Sequence, residues 1–180
     1  KKEKKEKKAK VLPTKTVVEA SVSMLNIVVG QITKVWKHPD ADALYCEEID
    51  VGEGKPRVVV SGLANHVPEA EFNGMKVCVL ANVKPGNVRG QPSAGLVLCA
   101  SNDSKTFPVQ PPAAAAVGER VSFEGHAGEP EGQLNPKKKV LEMLLPDLKT
   151  DAAGVPGFKG VPFMTSKGPC ASPVPDGMVK

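Results

Sequence analysis

The chain has 180 residues, of which 41% are hydrophobic, so it is long enough to bury one substantial core and to carry an appended subdomain. No apolar run reaches the roughly 18 residues of a membrane-spanning helix, and neither a secretory signal nor a transit peptide opens the chain, so we expect no membrane partner. The four cysteines form no CxxC pair and the three histidines are scattered. We therefore expect reduced core cysteines, no metal, no cofactor and a cytoplasmic location.

The formal net charge of +4 is distributed unevenly along the chain. Residues 1–10 read KKEKKEKKAK and carry +5, so the remaining residues carry 4 − 5 = −1. We interpret residues 1–21 as a tail, either a solvated linker or an arm that contacts phosphates without sequence preference. Because the first methionine is Met24, we also expect the chain to be part of a longer polypeptide.

Alternating apolar residues predict five β-strands between the tail and residue 101. Gly30 falls in the middle of the first strand, where we expect a β-bulge or a tight bend. A KHPDAD turn follows that strand, and residues 64–73 are long enough for a short helix. This pattern favours an OB-fold barrel, with a small sandwich or an SH3-like barrel as the alternatives. The predicted strands are 25–36, 43–50, 57–63, 74–83 and 94–101.

The C-terminal third of the chain is rich in proline and glycine. Residues 104–118 predict a connector, RVSFEG (120–125) is a candidate for a further strand, and KKKVLEMLL (137–145) predicts a helix that Pro146 ends. Apolar residues are too few here for an independent core. The predicted class is therefore all-β: a five-stranded OB-fold barrel (22–118) with an appended, mostly irregular, β-rich C-terminal subdomain (119–180) that packs on the barrel.

The sequence contains no constellation that catalysis would need. Motifs of hydrolases, metalloproteases and nucleotide-binding proteins (GxSxG, HExxH, a P-loop, a glycine-rich dinucleotide turn) do not occur. The carboxylates between residues 40 and 53 cluster without a cation, which is typical of a solvated acidic face. Since no nucleophile is paired with a base, we expect a binding function and not an enzyme in this region.

The segment NVKPGNVRGQPSAG (82–95) places two long cations, Lys84 and Arg89, between the fourth and fifth predicted strands. Its prolines and glycines stiffen and turn the loop, which in OB folds helps to form the binding face. An arginine can fork onto a phosphate, and a lysine acts as a point charge. The alternative is an ordinary hydrophilic hairpin with incidental cations.

Aromatic residues make up only 4% of the chain, which disfavours the binding of single strands by base stacking. Trp36, beside Lys34 and Lys37, is either a core residue or a stacking platform. Segregated cations with few aromatics point to folded RNA, which is recognised through its phosphates and 2′-hydroxyls. Between residues 76 and 105 a single aspartate accompanies four cations: Lys76, Lys84, Arg89 and Lys105.

Three segments in one order and spacing carry a resemblance to a known family: KHPDADALY, PRVVVSGLANHVP and CVLANVKPGNVRGQPSAGLVLCAS. Residues 22–180 resemble the tRNA-binding domains of the endothelial-monocyte-activating polypeptide II family. These domains occur in plant methionyl-tRNA synthetases, animal tyrosyl-tRNA synthetases and scaffold proteins of multi-synthetase complexes. The resemblance implies an OB barrel that binds tRNA with weak selectivity beside a cytosolic synthetase, most plausibly methionyl. The alternative that it leaves open is a scaffold or a released, cytokine-like module.

The resemblance also implies site residues and an oligomeric state. The C-terminal subdomain mimics the partner subunit of related bacterial dimers, which implies a monomer. Ser61 and Gly62 of the VVSGL strand are expected mainly to shape the barrel. Whether Lys137, Lys138 and Lys139 also touch RNA stays open. The complete set of predicted tRNA-binding residues is Asn82, Lys84, Arg89, Ser93, Ser61, Gly62, Lys34, Lys37 and Lys76.

Overall fold

The computed structural model describes residues 21–126, 128–135 and 139–179. The predicted lysine-rich tail, up to residue 20, and Lys137 and Lys138 lie outside the described residues. The described part is mostly β, with two short helices, α1 (Glu69–Phe72) and α2 (Val140–Leu144), and none of its helices is long and apolar enough to cross a membrane. The strands are β1 (Ile27–Lys37), β2 (Tyr45–Asp50), β3 (Arg57–Ser61), β4 (Lys76–Leu80), β5 (Gly86–Val88), β6 (Gln91–Ser93), β7 (Leu96–Val97), β8 (Cys99–Ser101), β9 (Thr106–Pro108), β10 (Leu148–Thr150), β11 (Pro156–Phe158), β12 (Val161–Pro162), β13 (Met164–Thr165), β14 (Gly168–Pro169) and β15 (Met178–Val179).

The first four strands and β7 form an antiparallel sheet in the order β3-β2-β1-β4-β7. Its two edges meet, because the amide of Ala94 donates to the carbonyl of Val58 in β3 at 2.8 Å. The sheet is therefore a nearly closed five-stranded barrel, and the predicted all-β, OB-type fold class is confirmed. The connection from β4 to β7 contains a hairpin made by β5 and β6. Closure leaves the sheet little open edge for pairing with another chain.

The irregularity of β1 lies further along the strand than the sequence predicted. The register of β1 against β2 shifts between Ile32 and Lys34, while Gly30 pairs regularly with β4. A Cβ at Gly30 would lie 2.7 Å from Cγ2 of Ile49 and 3.0 Å from Cγ2 of Val79. The prediction of a bulge at Gly30 was wrong, because this glycine serves the close packing of the barrel interior.

Two other predicted segments differ from the structure around the end of the barrel. The predicted strand 94–101 is divided into β7 and β8, which belong to different sheets. The predicted connector 104–118 contains β9, which pairs with β8 and extends the second sheet. Proline-rich composition concealed this short strand, since β9 ends at Pro108, where a missing amide donor does not interrupt the pairing.

Beyond residue 118 the predicted elements are shorter than expected. The segment 120–125 forms isolated bridges, Arg120 with Val28 and Ser122 with Met164, and no strand. Pro146 does not stop the helical path at once, because α2 continues into a 3₁₀ turn at Leu145–Asp147. A proline in the first turn of such a segment sacrifices no hydrogen bond.

A second sheet connects the barrel to the C-terminal part (residues 119–179). Its order is β12-β11-β10-β15-β8-β9, so strands from both sides of residue 118 hydrogen-bond in one sheet. β15, at the end of the chain, pairs with β8 through Met178 opposite Ser101 and Val179 opposite Ala100. The C-terminal part is therefore joined to the barrel by backbone pairing as well as by side-chain packing.

The buried apolar residues fall into two clusters. The barrel interior cluster comprises residues between Val28 and Val97, and the second cluster lies between the barrel wall and the C-terminal part. All four cysteines are thiols, and the Sγ atoms of Cys78 and Cys170 lie 3.5 Å apart in the second cluster. The two parts of the chain thus share one of the two cores.

Candidate nucleic-acid interface

The cationic loop, residues 82–93, is an exposed hairpin with an arginine at its tip. Val88 pairs with Gln91, so Arg89 and Gly90 are the two residues of the turn, with φ angles of 51° and 89°. Two positive φ angles define the type I′ turn, which asparagine–glycine pairs prefer. An arginine in the left-handed region costs about 1–2 kcal/mol relative to ordinary backbone. The strained backbone places Arg89 in the turn at the tip of the hairpin.

The two loop cations are the accessible charges of this region. Lys84 and Arg89 are both exposed. Lys84 makes no hydrogen bond or ion pair with any residue that the structure describes, and Arg89 makes one long contact from Nη2 to the carbonyl of Asp40, at 3.4 Å. Cations that stand on a folded hairpin without protein counter-charges are suited to bind phosphate oxygens.

Asn82, at the start of the loop, is buried and fully engaged by the protein. Its Oδ1 accepts from the amide of Asn26 at 3.1 Å, and its Nδ2 donates to the carbonyls of Met24 and Glu131 at 2.9 and 2.8 Å. The amide joins three separate segments at the base of the loop. In this structure, therefore, Asn82 supports the loop from within and does not present its amide to the outside.

Ser93 and Ser61 also use their hydroxyl groups inside the protein. Ser93 Oγ accepts from the amide of Val60 at 3.0 Å and donates to the carbonyl of Gly95 at 3.3 Å. Ser61 Oγ donates to Oε2 of Glu47 at 3.0 Å in the buried barrel wall. Gly62 is exposed at the end of the same strand. The structure thus places the predicted polar residues around the loop as supports, with the cations outside them.

The predicted lysines on the barrel are not all close to the loop. Lys34 and Lys37 are exposed on β1, and the Nζ of Lys34 lies 5.2 Å from the ring centroid of the half-buried Trp36. Lys76 pairs in register with Gln31, about six residues or roughly 20 Å along β1 from Lys37. Its Nζ donates to the carbonyls of Ala113 and Ala115, both at 2.8 Å. Lys37 lies at the loop end of β1, and Lys76 lies at the opposite end.

His38 connects the end of β1 to the tip of the loop, a contact that was not predicted from the sequence. The ring is buried, its Nδ1 accepts from the amide of Asp40 at 2.9 Å, and its Nε2 lies 3.0 Å from the carbonyl of Val88. The accepting Nδ1 requires the neutral tautomer with the proton on Nε2, which then donates to Val88. A turn signal predicts local hydrogen bonds, and this contact spans 50 residues.

Arg57 and Glu53 form a second support that the sequence did not reveal. Arg57 Nε and Nη2 donate to the two carboxylate oxygens of Glu53 at 2.8 and 2.7 Å. Its Nη1 donates to the carbonyls of Ala81 and Ala94 at 2.6 and 2.8 Å, one residue before and one after the loop. The hydrogen bond from Arg57 lowers the pKa of Glu53, so the pair is ionised at neutral pH. The only sequence signal is the spacing of one acid and one base four residues apart.

Glu47 is a buried acid next to the supports of the interface. Its side chain is fully buried in the barrel, and Oε1 has no hydrogen-bond partner among the described residues. Burial raises the pKa of Glu47 to about 9, and the hydrogen bond from Ser61 opposes the shift only in part. The carboxyl is therefore protonated at neutral pH and places no negative charge in the barrel interior.

A cavity lies between the cationic loop and the C-terminal part. Lys84 borders a shallow cavity of about 200 Å³ whose far wall includes Val140 and Leu141 of α2. The exposed Lys139 precedes that helix with a φ of 52°. No group of three or more histidine, cysteine or acidic side chains in the described ranges is arranged to hold a metal ion. The surface is suited to a polyanion that contacts the chain at several points.

Comparison with known proteins gives a match to one family model. Residues 27–120 match the family described as "Putative tRNA binding domain". The C-terminal domain of Plasmodium vivax p43 superposes on the structure with a TM-score of 0.86 and 34% identity, covering 90% of this chain and all of that domain. The match therefore includes the C-terminal part as well as the barrel.

Two curated relatives extend the comparison beyond the barrel. The cytoplasmic methionine–tRNA ligase of Arabidopsis thaliana is 50% identical over 165 residues, which are 90% of this chain and 21% of that protein. The aminoacyl tRNA synthase complex-interacting multifunctional protein 1 of Cricetulus griseus is 47% identical over 150 residues, which are 83% of this chain and 42% of that protein. The chain thus spans less than half the length of either relative.

Proposed function

The chain belongs to the tRNA-binding domain family that occurs in aminoacyl-tRNA synthetases and in their complex-interacting proteins, and we propose that its cationic loop is the part that binds tRNA. The observation that carries this proposal is that the polar residues of the loop bond the protein whereas its two cations are exposed. Asn82 and Ser93 hold the loop to the protein, while Lys84 and Arg89 are exposed at its surface. Lys34 and Lys37 extend the cationic surface along β1.

The chemistry of this surface favours recognition of the RNA backbone. An exposed lysine and arginine neutralise phosphates without reading base identity, so binding is strong at low salt and weakly selective among tRNA species. The aromatic residues Phe72, Phe123, Phe158 and Phe163 are buried, so base stacking on them is blocked. We infer a general tRNA-binding module that recognises the shape and charge of folded RNA.

The proposed setting is the cytoplasm, in cis or in complex with an aminoacyl-tRNA synthetase, and a methionine–tRNA ligase is the first candidate. The 50% identity to the Arabidopsis thaliana ligase over 90% of this chain supports that choice. The module itself is not an enzyme in this proposal and delivers tRNA to a catalytic domain elsewhere. A non-covalent scaffold role, with release as a signalling module, is the second candidate, supported by the similarity to the Cricetulus griseus protein.

We also propose the domain division 22–118 for the barrel and 119–180 for a subdomain that makes the module a monomer. The pairing of β15 with β8 supports this arrangement, because the C-terminal part covers a barrel-side strand that a second copy would otherwise meet. Analytical ultracentrifugation of the 180-residue chain tests the proposal, and a dimer would overturn it.

The loop proposal is tested by a double variant, Lys84→Ala with Arg89→Ala. Filter binding of two unrelated tRNAs over a series of salt concentrations should show a similar loss for both tRNAs. The slope of log K against log salt should fall by about one to two, one for each lost phosphate contact. The matched control is Lys149→Ala with Lys159→Ala, which removes two exposed lysines from the C-terminal part.

The result distinguishes tRNA binding at the loop from attraction by the total positive charge of the chain. An unchanged affinity in the loop variant would remove the loop from the interface. An equal loss in the control variant would mean that total charge, and not the loop, determines binding. The partner proposal is tested separately by capturing the native polypeptide from its source: methionylation of tRNA by a single large chain supports the ligase, and co-purification of several synthetases supports the scaffold.

A further inference from the structure

We propose that Arg57, locked by Glu53, is a positioning residue that fixes the two ends of the cationic loop and thereby presents Lys84 and Arg89 to RNA. This inference rests on the proposed function of the loop. It adds a residue to the binding machinery that makes no contact with the ligand. The same side chain therefore determines the shape of the surface without contributing a charge to it.

The clamp consists of hydrogen bonds from the guanidinium of Arg57 to both ends of the loop. Nη1 of Arg57 donates to the carbonyls of Ala81 and Ala94, which flank the loop on its two sides. A single nitrogen that bonds both carbonyls sets the distance between them. The amide of Ala94 also donates to the carbonyl of Val58, the neighbour of Arg57 in β3. The base of the loop is thus held against β3 by hydrogen bonds from a side chain and from the backbone.

Glu53 fixes the orientation of the clamp. Its carboxylate takes the remaining edge of the guanidinium through two hydrogen bonds of 2.8 and 2.7 Å. The planar fork of arginine matches a carboxylate in this bidentate arrangement, and lysine has no equivalent. With Nε and Nη2 on Glu53 and Nη1 on two carbonyls, each guanidinium nitrogen has a partner within the protein. Arg57 is therefore unavailable for a phosphate, and its charge is compensated.

The clamp affects tRNA binding by restricting the conformations of the loop. A loop with separated ends adopts many shapes and must lose that freedom when it binds, whereas a pre-shaped loop does not. His38 and Ser93 hold the tip and the end of the hairpin. The pairing of Leu80 with Leu96 holds the flanking strands together, and the Arg57 side chain bonds the carbonyls on both sides of the base. Loss of the clamp should therefore weaken tRNA binding while the two loop cations remain able to reach phosphates.

The test is Arg57→Lys in the 180-residue chain, with Thr150→Val as the matched control. Thr150 also joins separate segments through backbone groups, because its Oγ1 donates to the carbonyl of Val174 and accepts from the amide of Gly177, both at 2.7 Å, in the C-terminal part. We expect Arg57→Lys to weaken tRNA binding about tenfold with an unchanged salt slope, since no phosphate contact is lost. Thr150→Val should bind tRNA like the wild-type chain. Hydrogen exchange should show faster exchange at residues 83–93 in Arg57→Lys only.

A second variant keeps the inference testable if Arg57→Lys does not fold. Glu53→Gln retains the shape of the exposed partner and removes its charge, and it should shift affinity in the same direction by a smaller factor. Combining Arg57→Lys with the Lys84→Ala and Arg89→Ala double variant should cost no additional affinity, because a positioning residue acts only through the cations that it positions. Additive losses would overturn the inference.

The remaining outcomes separate this inference from the function on which it rests. Wild-type affinity in folded Arg57→Lys would overturn the clamp and leave the loop as the tRNA site. A salt slope reduced by about one would show that Arg57 contacts phosphate directly, which also overturns positioning. If the Lys84→Ala and Arg89→Ala double variant binds normally, the loop proposal fails, whatever Arg57 does.

Discussion

The barrel and the C-terminal part reach stability in different ways. Strands β1 to β4 have five to eleven residues and enclose a cluster whose buried members all lie between Val28 and Val97. The C-terminal part has strands of two or three residues, and its buried side chains share a cluster with Leu25, Ile27 and Leu80 of the barrel side. The barrel interior is therefore self-contained, whereas the C-terminal part depends on the barrel for one wall of its core.

The same two regions carry hairpins with equivalent turns. In the barrel, Arg89 and Gly90 have φ angles of 51° and 89°, and in the C-terminal part Lys159 and Gly160 between β11 and β12 have 50° and 86°. Strand β5 of the barrel hairpin is mostly exposed, while β11 is buried within the second sheet. Similar turn chemistry thus occurs in the exposed cationic loop in one region and in a strand connection of the second sheet in the other.

The largest expected effect comes from removing one core aromatic in each region. Phe163 is fully buried, with its ring centroid 4.9 Å from that of Phe123, and Phe72 is fully buried against Tyr45 at 5.7 Å. Each replacement by alanine should cost about 3–5 kcal/mol. Phe163→Ala should increase hydrogen exchange in the C-terminal part and spare β1–β4, whereas Phe72→Ala should increase it throughout. Equal loss of barrel protection in both variants would contradict two separable cores.

The next effect concerns Glu47, the buried acid of the barrel interior. The pKa of Glu47 is raised from 4.5 to about 9 by burial, so the folded state holds a proton that the unfolded state releases above pH 4.5. Its contribution to stability is complete below pH 4.5 and is lost as the pH rises toward 9. Between pH 5 and 8 the free energy of unfolding should fall by about 4 kcal/mol from this group.

Denaturant titrations of Glu47→Gln at several pH values check this expectation. The variant should lose most of the fall in stability between pH 5 and 8, because glutamine does not titrate. Glu48→Gln is the matched control, since it changes the neighbouring carboxylate on the other face of β2 and should retain the wild-type fall. A Glu47→Gln variant with an undiminished fall would place the responsible group elsewhere.

The smallest expected change in stability is the same for the two hairpins, and tRNA binding is expected to distinguish them. Arg89→Asn and Lys159→Asn each create an asparagine–glycine turn and should raise the free energy of unfolding by about 1 kcal/mol. Only Arg89→Asn should weaken tRNA binding, since it alone removes a cation of the proposed interface. Thermal unfolding combined with filter binding measures both quantities. A loss of affinity in Lys159→Asn would show that the second hairpin also touches the RNA.

The barrel strands were predictable because alternation and turn residues are local signals. The loop cations Lys84 and Arg89 were predictable for the same reason, since residue type and a position between strands suffice to place them at the surface. Short strands such as β9 were not predictable, because their pairing partners, and not their own residues, determine them. Strand β1 was found, but its register shift between Ile32 and Lys34 depends on its pairing with β2, which no local pattern encodes.

The supports of the interface could not be inferred from sequence for a related reason. Asn82 and Ser93 were identified by type, but the direction of each side chain depends on a distant backbone group, the carbonyl of Met24 58 residues from Asn82 and the amide of Val60 33 residues from Ser93. Arg57 binds backbone carbonyls 24 and 37 residues further along the chain, and a carbonyl is the same at every position. Contacts between side chains and distant backbone therefore leave little trace in the amino-acid pattern.

Because the carboxyl of Glu47 is protonated, the net charge of the folded chain differs from the formal count. The formal count of +4 includes that residue as an anion, but in the folded state at neutral pH it is uncharged. The native chain thus carries about +5 and returns to +4 when it unfolds and gives one proton to the buffer. The apparent heat of unfolding must therefore vary with the ionisation enthalpy of that buffer. For a polyanion in solution, the folded protein therefore has a higher net positive charge than the formal count of its sequence indicates.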